Sequence, residues 1–438
     1  MRTAAILAVL LVVGAPPLAA AAAGDGVAPV VLALAVILAA AKLGGDLATR
    51  IGQPAVLGEL VMGVVLGNLA LAGIPWFEAF RANETIAILA ELGVLILLFE
   101  VGLEATVRDM LKVGLPSLLV AVLGVVTPFA LGWGAGILML PDESEYVHAF
   151  LGATLCATSV GITARVLQDL GKSQSREARV ILGAAVIDDV LGLIILAVVA
   201  GVITAADRGG SISLGETGLI LGKATVFLVG ALALGVVLSP RLFRLASGLR
   251  GRGVLLATAL VFCFVLAYLS SVVGLAPIVG AYAAGLILED VHYREFRERG
   301  EHSLEELIQP VASVLVPVFF VLMGMRVELT AFAQPGVLGF AALLTLAAIL
   351  GKQACSLGAI GGGLDRLSIG IGMIPRGEVG LIFASIGMSL TIGGEPVVSQ
   401  AIYSAVVIMV IVTTMATPPA LKWSLARGER RRASPEAR

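Results

Sequence analysis

Charged residues are scarce in this sequence, and cysteine is scarcer still. Asp, Glu, Lys and Arg together make up 14% of the 438 residues, whereas a soluble domain has about 25%. Hydrophobic residues make up 58%, and the mean hydropathy is +1.03. That much apolar surface exceeds what a soluble protein of this length can bury, so we expect an all-α polytopic membrane protein.

The few cysteines and the small net charge give no sign of a disulfide framework, a metal site or a nucleic-acid partner. Cys156, Cys263 and Cys355 lie in apolar segments without the spacing of a metal site, and their odd number excludes a complete set of internal disulfides. They are predicted to be small buried residues. The formal net charge of −2 gives no support for a nucleic-acid partner, and none is expected.

The chain divides into about thirteen apolar stretches, each able to cross a hydrocarbon layer of about 30 Å as a helix of about 20 residues. The ninth is short for a full crossing. Their approximate spans are 27–46, 53–73, 84–103, 113–139, 146–169, 178–205, 217–240, 253–273, 275–290, 304–325, 336–360, 366–390 and 396–423.

Residues 1–24 precede these stretches. Arg2, the apolar residues 4–13 and the small residues 21–24 are typical of a removable signal peptide. The alternative is an uncleaved extra hydrophobic segment, which would place the N terminus on the other side of the membrane.

The distribution of basic residues predicts the orientation, because short cytoplasmic loops collect Lys and Arg. With the mature N terminus outside, the outer loops hold only Arg81, Arg208 and Arg326, beside the acidic residues 142–145. The C terminus is then cytoplasmic, with a basic tail over residues 424–438. The inner loops hold Arg50, Arg108, Lys112, Lys172, Arg176, Arg179, Arg241, Arg244, Arg250, Arg252, Arg294, Arg297, Arg299 and Arg366.

The hydropathy pattern suggests two halves of six helices around a connecting seventh. An offset of seven helices gives the halves opposite orientations, which is the inverted-repeat arrangement of many secondary transporters. Residues 154–163 of the fifth stretch are rich in hydroxyls and contain Gly, and residues 373–380 of the twelfth contain Pro and Gly. Irregular backbone is therefore predicted at matching positions, and such backbone is tolerated at membrane depth only inside protein or beside a cavity.

Two adjacent acids, Asp188 and Asp189, lie inside the apolar residues 180–203. One carboxylate at the bilayer centre costs about 2.5 to 3.5 kcal/mol, so a pair without a function is improbable. The two side chains point about 100° apart on a helix and need different partners. Thr158 and Ser159 would form an oxygen cage with Asp189 for a small hard cation; alternatively, the hydroxyls only bond to neighbouring helix backbone.

Lys352 is a positively charged residue within an apolar stretch, and it is the expected counter-ion for one of the aspartates. The alternative is that it extends its ammonium group to the membrane surface. A cation bound at Asp189 would compete with its proton. Breaking the pair of Asp188 with Lys352 could release another proton. Exchange of a cation for protons follows from this competition.

Residues 157–168, 181–193 and 375–382 resemble the NapA-type bacterial sodium/proton antiporters, in the two-aspartate electrogenic branch of the monovalent cation:proton antiporter superfamily. The resemblance implies the NhaA/NapA-like fold, a homodimer in the bacterial inner membrane, and a core that slides to expose the ion site to alternate sides. Na⁺ and H⁺ are then transported substrates, and no cofactor is expected. The implied parts are a dimerisation domain (27–103 and 253–325), a core (113–205 and 336–423) and a linker helix (217–247).

The same resemblance implies roles for individual residues. Asp189 matches the acid that binds the transported cation, and Asp188 matches the acid that pairs with the lysine, Lys352. Thr158 and Ser159 match the unwound stretch of the crossing helix. The remaining match is Arg376 with Glu378, a membrane charge pair with a structural or gating role.

Three other acids and two other functions stay open. Glu59 and Glu91 could attract cations or make structural hydrogen bonds, and Glu100 could tune the pH response or lie solvated at a helix end. A K⁺/H⁺ antiporter or a potassium-efflux channel-like member of the same superfamily is the alternative function. A non-transporting membrane sensor is a further alternative, but it leaves the two aspartates and Lys352 unexplained. An enzyme is not expected, because no nucleophile and base are suitably arranged.

Overall fold

A computed structural model gives an almost entirely helical fold. The predicted signal peptide, residues 1–24, lies outside the described part of the chain. The structure describes residues 27–104, 114–172, 175–207, 214–249, 251, 253–273, 275–288, 302–330, 336–361 and 363–433.

The helices follow the apolar stretches of the sequence. The first eight are α1 (Val27–Arg50), α2 (Ala55–Gly67), α3 (Glu78–Arg81), α4 (Glu84–Glu104), α5 (Leu115–Met139), α6 (Glu145–Cys156), α7 (Val160–Asp169) and α8 (Arg176–Asp207). The others are α9 (Leu214–Ser247), α10 (Val254–Val272), α11 (Pro277–Ile287), α12 (Leu304–Met325), α13 (Val337–Ala354), α14 (Arg366–Gly372), α15 (Gly377–Ser389) and α16 (Gln400–Ala433). Short 3₁₀ turns cover Leu69–Ala72, Pro75–Phe77 and Cys355–Gly358, and β1 (Thr391–Ile392) pairs antiparallel with β2 (Glu395–Pro396).

Eight helices within the described residues have the length and apolar composition to cross a membrane: α1, α4, α5, α8, α10, α12, α13 with its 3₁₀ extension, and α16. Shorter apolar helices occupy Ala55–Gly67, Pro277–Ile287 and Val379–Ser389. The chain is therefore a multi-pass membrane protein, as predicted. The count of thirteen crossings stays a prediction.

Several predicted segment ends differ from the structure; the seventh predicted helix, for example, is expected to end at residue 240 and continues to Ser247. The α-helix expected to reach residue 73 ends at Gly67, because Asn68 caps it: the Asn68 side chain donates to the carbonyls of Val64 and Val327, both at 2.8 Å. The last helix, predicted to end at residue 423, continues to Ala433. Its basic end is rich in Arg, which is a good helix former, so the loss of apolar residues does not end the helix.

The chain packs as two compact units. The described residues of the first lie within Met1–Glu104, Leu234–Tyr268 and Gly280–Thr330, and those of the second within Ala105–Ala233, Leu269–Val279 and Ala331–Arg438. In the second unit, α5 packs against α6, α8 and α13. The functions assigned to the predicted domains stay predictions.

Small residues allow close helix contacts in the first unit, as is common between membrane helices. At the crossing of α2 and α12, a Cβ built on Gly324 would lie 2.8 Å from the Cα of Gly63 and 2.8 Å from the amide nitrogen of Val64. These neighbours are backbone atoms, which cannot rotate away. The two helices must therefore separate if either glycine gains a side chain.

Replacing Gly324→Ala is expected to destabilise the protein by about 1–3 kcal/mol, because overpacking forces backbone shifts. Thermal unfolding in detergent measures the effect. Gly134→Ala is the matched control, since Gly134 is also helical and a Cβ there would meet nothing within 4 Å. Equal melting of the two variants would contradict the tight crossing.

Candidate functional site

Two helices of the second unit are interrupted within the predicted irregular segments. Residues 157–159 separate α6 from α7, and residues 373–376 separate α14 from α15. Gly377 opens α15 with φ +39°, a conformation that favours glycine. Irregular backbone at both places is thus confirmed, whereas the inverted repeat relating them stays a prediction.

The two breaks are hydrogen-bonded to each other. The backbone amide of Ser159 donates to the carbonyl of Pro375 at 2.8 Å, and the hydroxyl of Thr163 donates to the carbonyl of Gly372 at 2.6 Å. Broken helices leave backbone groups without helical partners, and such groups are costly when they cannot reach water. Each break therefore supplies partners that the other break needs.

Arg376 also joins the breaks. Its guanidinium is fully buried and donates to the carbonyl of Ala157, at the end of α6, and to that of Ala348 in α13 at 3.1 Å. A single side chain thus connects both breaks with the helix of Lys352. Sequence reasoning assigned Arg376 only to a charge pair with Glu378, whose side chain lies outside what the structure describes, so that pairing stays a prediction.

A buried ion pair lies beside the breaks. The Nζ of Lys352 is 2.8 Å from Oδ1 of Asp188, and both side chains are 0% exposed. A Cβ built on Gly124 of α5 would lie 3.4 Å from Oδ1 and 3.5 Å from Nζ, so α5 covers the pair closely. The expected contact between Lys352 and one aspartate is present, and the alternative of an ammonium extended to the membrane surface is wrong.

Asp188 and Thr158 each keep a polar atom without a well-formed hydrogen bond. Within the described part of the chain, Oδ2 of Asp188 and Oγ1 of Thr158 are buried and make no hydrogen bond of good geometry, although the two side chains lie close enough to interact with each other. Thr158, Lys352 and Arg376 are all neighbours of Asp188. The sequence grouped Thr158 with Asp189, and the structure brings it to Asp188.

The other predicted site residues, Asp189 and Ser159, directly follow Asp188 and Thr158 in the sequence. Asp189 is partly exposed, and Ser159 is fully buried against Gly377. The proposed oxygen cage of Asp189 with Thr158 and Ser159 stays a prediction. Two free thiols, Cys156 and Cys355, also neighbour the ion pair. All three cysteines of the chain are free and buried, as predicted.

The remaining acids singled out from the sequence lie in the first unit. Glu59 is buried in α2, Glu91 is exposed on α4, and Glu100 is partly buried near the end of α4. None belongs to the unit that holds the aspartates. Their roles stay predictions.

The sequence pattern described as "Sodium/hydrogen exchanger, transmembrane" matches residues 32–426 of this chain. The chain belongs to the sodium/hydrogen exchanger family. Membership makes it a transmembrane exchanger rather than an enzyme.

Relatives within this exchanger family match over most of their length. The high-affinity Na⁺/H⁺ antiporter NhaS3 of Synechocystis is 38% identical over 93% of this chain and 92% of its own. The Na⁺/H⁺-K⁺ antiporter GerN of Bacillus cereus is 37% identical over 89% of this chain and 95% of its own.

A solved exchanger structure has the same fold. The sodium proton antiporter MjNhaP1 from Methanocaldococcus jannaschii superposes with a TM-score of 0.64 at 16% identity, covering 90% of this chain and 96% of that one. The expected antiporter fold is thus confirmed at this level, and the NapA-type branch stays a prediction.

We expect the contributions of Asp188 and Lys352 to the stability of the folded protein to depend on each other. Lys352→Met or Asp188→Asn leaves its partner without charge compensation in a buried site, which costs about 3–5 kcal/mol. The double variant should lose less than the sum of the two single variants, as thermal unfolding in detergent measures. Arg50→Met is the control, because Arg50 and Asp46 are also 2.8 Å apart but more than half exposed. Additive losses would contradict a coupled pair.

Arg376→Lys is expected to destabilise the second unit although it keeps the charge. A lysine ammonium lacks the fork that reaches two carbonyls together, and a hydrogen bond to a charged group contributes about 1.5–3 kcal/mol. Thermal unfolding, with hydrogen exchange at residues 157–163, measures the loss. Arg366→Lys is the control, since exposed Arg366 donates to the carbonyl of Ala359 at 3.3 Å. Wild-type stability and protection in Arg376→Lys would refute the bridging role.

Proposed function

We propose that this protein is an antiporter that exchanges a monovalent cation for protons, with Na⁺ as the first candidate for the cation. The observation that carries the proposal is the buried pair of Asp188 and Lys352 next to two broken helices, with buried oxygens of Asp188 and Thr158 that face each other without a well-formed hydrogen bond. Buried oxygens with incomplete hydrogen bonding are costly unless something binds them. Carboxylate and hydroxyl oxygens are ligands that small hard cations prefer.

Competition for the same carboxylates couples the two substrates. In the proposal, Asp189 binds either the cation or a proton, with Thr158 and Ser159 supplying further oxygens. Asp188 stays paired with Lys352 while the site is free of cation. Cation entry changes the electrostatic field around this pair and favours release of a proton. The cycle is electrogenic when the number of protons moved in one direction differs from the number of cations moved in the other. No cofactor takes part.

Alternating access completes the proposed cycle. The candidate site residues all belong to the second compact unit, which supports an elevator-type movement of that unit as a body. We further propose that the chain crosses the membrane thirteen times in two inverted repeats and that the first unit forms a NapA-type homodimer. The protein would be located in a bacterial inner membrane. The N terminus would then be outside and the C terminus cytoplasmic.

K⁺ is the second candidate cation. GerN, which covers most of this chain at 37% identity, is named as a Na⁺/H⁺-K⁺ antiporter. Oxygen ligands that hold Na⁺ can also hold K⁺ when the cavity is wide enough. Selectivity between the two is therefore the first property to measure.

We expect purified protein in liposomes to move protons when Na⁺ is added, as read by an enclosed pH dye. Li⁺ and K⁺ are tested in the same way, and clamping the membrane voltage at different values should change the rate. Because the proton competes with the cation, the apparent KM for Na⁺ should rise as the pH falls. Asp189→Asn should abolish the exchange, because it removes the charge that both substrates share.

Asp142→Asn is the control for this substitution. It makes the same chemical change at an exposed loop residue and should leave the rates unchanged. Sodium-driven proton movement in folded Asp189→Asn would disprove the role of Asp189. No proton movement by the wild-type protein with any of the three cations would favour the channel or sensor alternatives.

A further inference from the structure

The helix that carries both aspartates is unusually long. α8 has 32 residues, so it extends about 48 Å at about 1.5 Å per residue, whereas the hydrocarbon layer is about 30 Å thick. A helix longer than the layer can tilt or shift along its axis at small cost. Burial in the membrane therefore does not by itself hold Asp188 and Asp189 level with the breaks.

A carboxylate near the start of α8 joins it to α14. Glu177 is 3% exposed, and its Oε1 accepts the backbone amide of Asp365 at 3.0 Å. Asp365 is the residue before α14, and its Oδ2 accepts the hydroxyl of Ser368 at 2.7 Å. Ser368 is in turn 2.8 Å from the hydroxyl of Ser424 in α16. The start of α8 is thus fixed to the start of the broken helix.

A second carboxylate does the same at the other end. Asp207 is the last residue of α8. Its Oδ1 accepts the backbone amide of Gly393 at 2.9 Å, and its Oδ2 accepts the hydroxyl of Thr391 at 3.2 Å. Both partners belong to the β1–β2 hairpin, which follows directly after α15. The end of α8 is thus fixed to the end of the broken helix.

We propose that Glu177 and Asp207 are positioning residues for ion exchange, which hold α8 in register with α14 and α15. Two contacts at opposite ends restrain both sliding and tilting, which a single contact cannot do. Carboxylates suit this role because a hydrogen bond from a backbone amide to a charged acceptor is stronger than one to a neutral acceptor. The inference rests on the proposed function, since the register matters for transport only if the aspartates bind the substrate.

Loosening either end should affect cation binding more than the rate of turnover. A shifted α8 displaces Asp188 from Thr158 at the break and moves Asp189 with it, so the proposed ligand oxygens no longer converge on one cation. Loss of one or two hydrogen bonds corresponds to an increase in apparent KM for Na⁺ of about threefold to tenfold. The maximal rate should change less than twofold, because no reacting group is removed.

The test compares Asp207→Ala with Asp207→Asn, and Glu177→Ala with Glu177→Gln, in full-length protein in liposomes. The amide oxygens of Asn and Gln can still accept from the backbone, so these variants should restore most of the wild-type KM. Glu395→Ala is the matched control: Glu395 lies in the same hairpin, is exposed, and loses the same charge. Its KM should equal that of the wild type.

Hydrogen exchange gives a readout that does not depend on transport. In Asp207→Ala, amides at the end of α8 and in the hairpin should lose protection together, whereas Glu395→Ala should keep both protected. This pattern, with the raised KM, supports the proposal. A lowered melting temperature with unchanged KM would show a merely structural contact and overturn it. Failure of Asn and Gln to restore KM would also overturn it.

The two proposals fail separately. If the wild-type protein moves no protons with any cation, the function fails, and positioning for exchange fails with it, while hydrogen exchange still shows whether the two contacts hold the ends of α8. If the wild type exchanges ions but the alanine variants match it in KM, only the positioning role is overturned.

Discussion

The unit that holds the aspartates is organised around one buried ion pair. Removing a charge from water costs several kcal/mol even after relaxation, and this cost is offset only when the partner charge is close and well oriented. Asp188 and Lys352 meet this condition at 2.8 Å, with Gly124 of α5 close against both. Three helices must keep their mutual positions for the pair to persist. Neither partner can change its charge without disturbing the other, and this is the property that an exchanger of cations for protons needs.

The broken helices are subject to the same constraint, because every buried polar group needs a partner. Interrupting a helix at membrane depth leaves carbonyls and amides without their helical partners, and no water is present there to replace those partners. Here Ser159 satisfies the carbonyl of Pro375, Thr163 satisfies that of Gly372 at the end of α14, and Arg376 satisfies that of Ala157. The end of α6 carries the negative end of a helix dipole, which favours a cation at Ala157. Arg376 can therefore stay buried next to Lys352, because its charge is turned toward carbonyl oxygens.

Sequence reasoning predicted the parts of this site that local chemistry dictates. Pro375 and Gly377 indicated one break, the hydroxyls around Thr158 indicated the other, and a lysine inside an apolar stretch indicated a buried partner. Which aspartate faces Thr158 could not be predicted, because it depends on the rotation of α8 relative to α6 and α7. The end of α16 was missed because hydropathy marks where apolar residues stop, and helices continue through arginine.

The contacts that fix α8 were beyond sequence reasoning for a different reason. Glu177 bonds to a backbone amide 188 residues away, and a backbone amide carries no signature in the sequence. The same holds for Arg376 and its two carbonyls. Acids at the ends of a membrane helix are read by default as solvated residues, and only the three-dimensional contacts distinguish them from tethers.

Placing the ion pair, both breaks and both end contacts of α8 in one compact unit constrains how access to the site could change. A rearrangement inside this unit would have to separate buried charges or leave backbone groups unsatisfied, and each such step is costly. A movement of the unit as a body leaves all of these contacts intact. The energetic cost of breaking these contacts therefore agrees with the proposed movement of the unit as a body, in which the proposed cation ligands would keep one arrangement while their access to water changes.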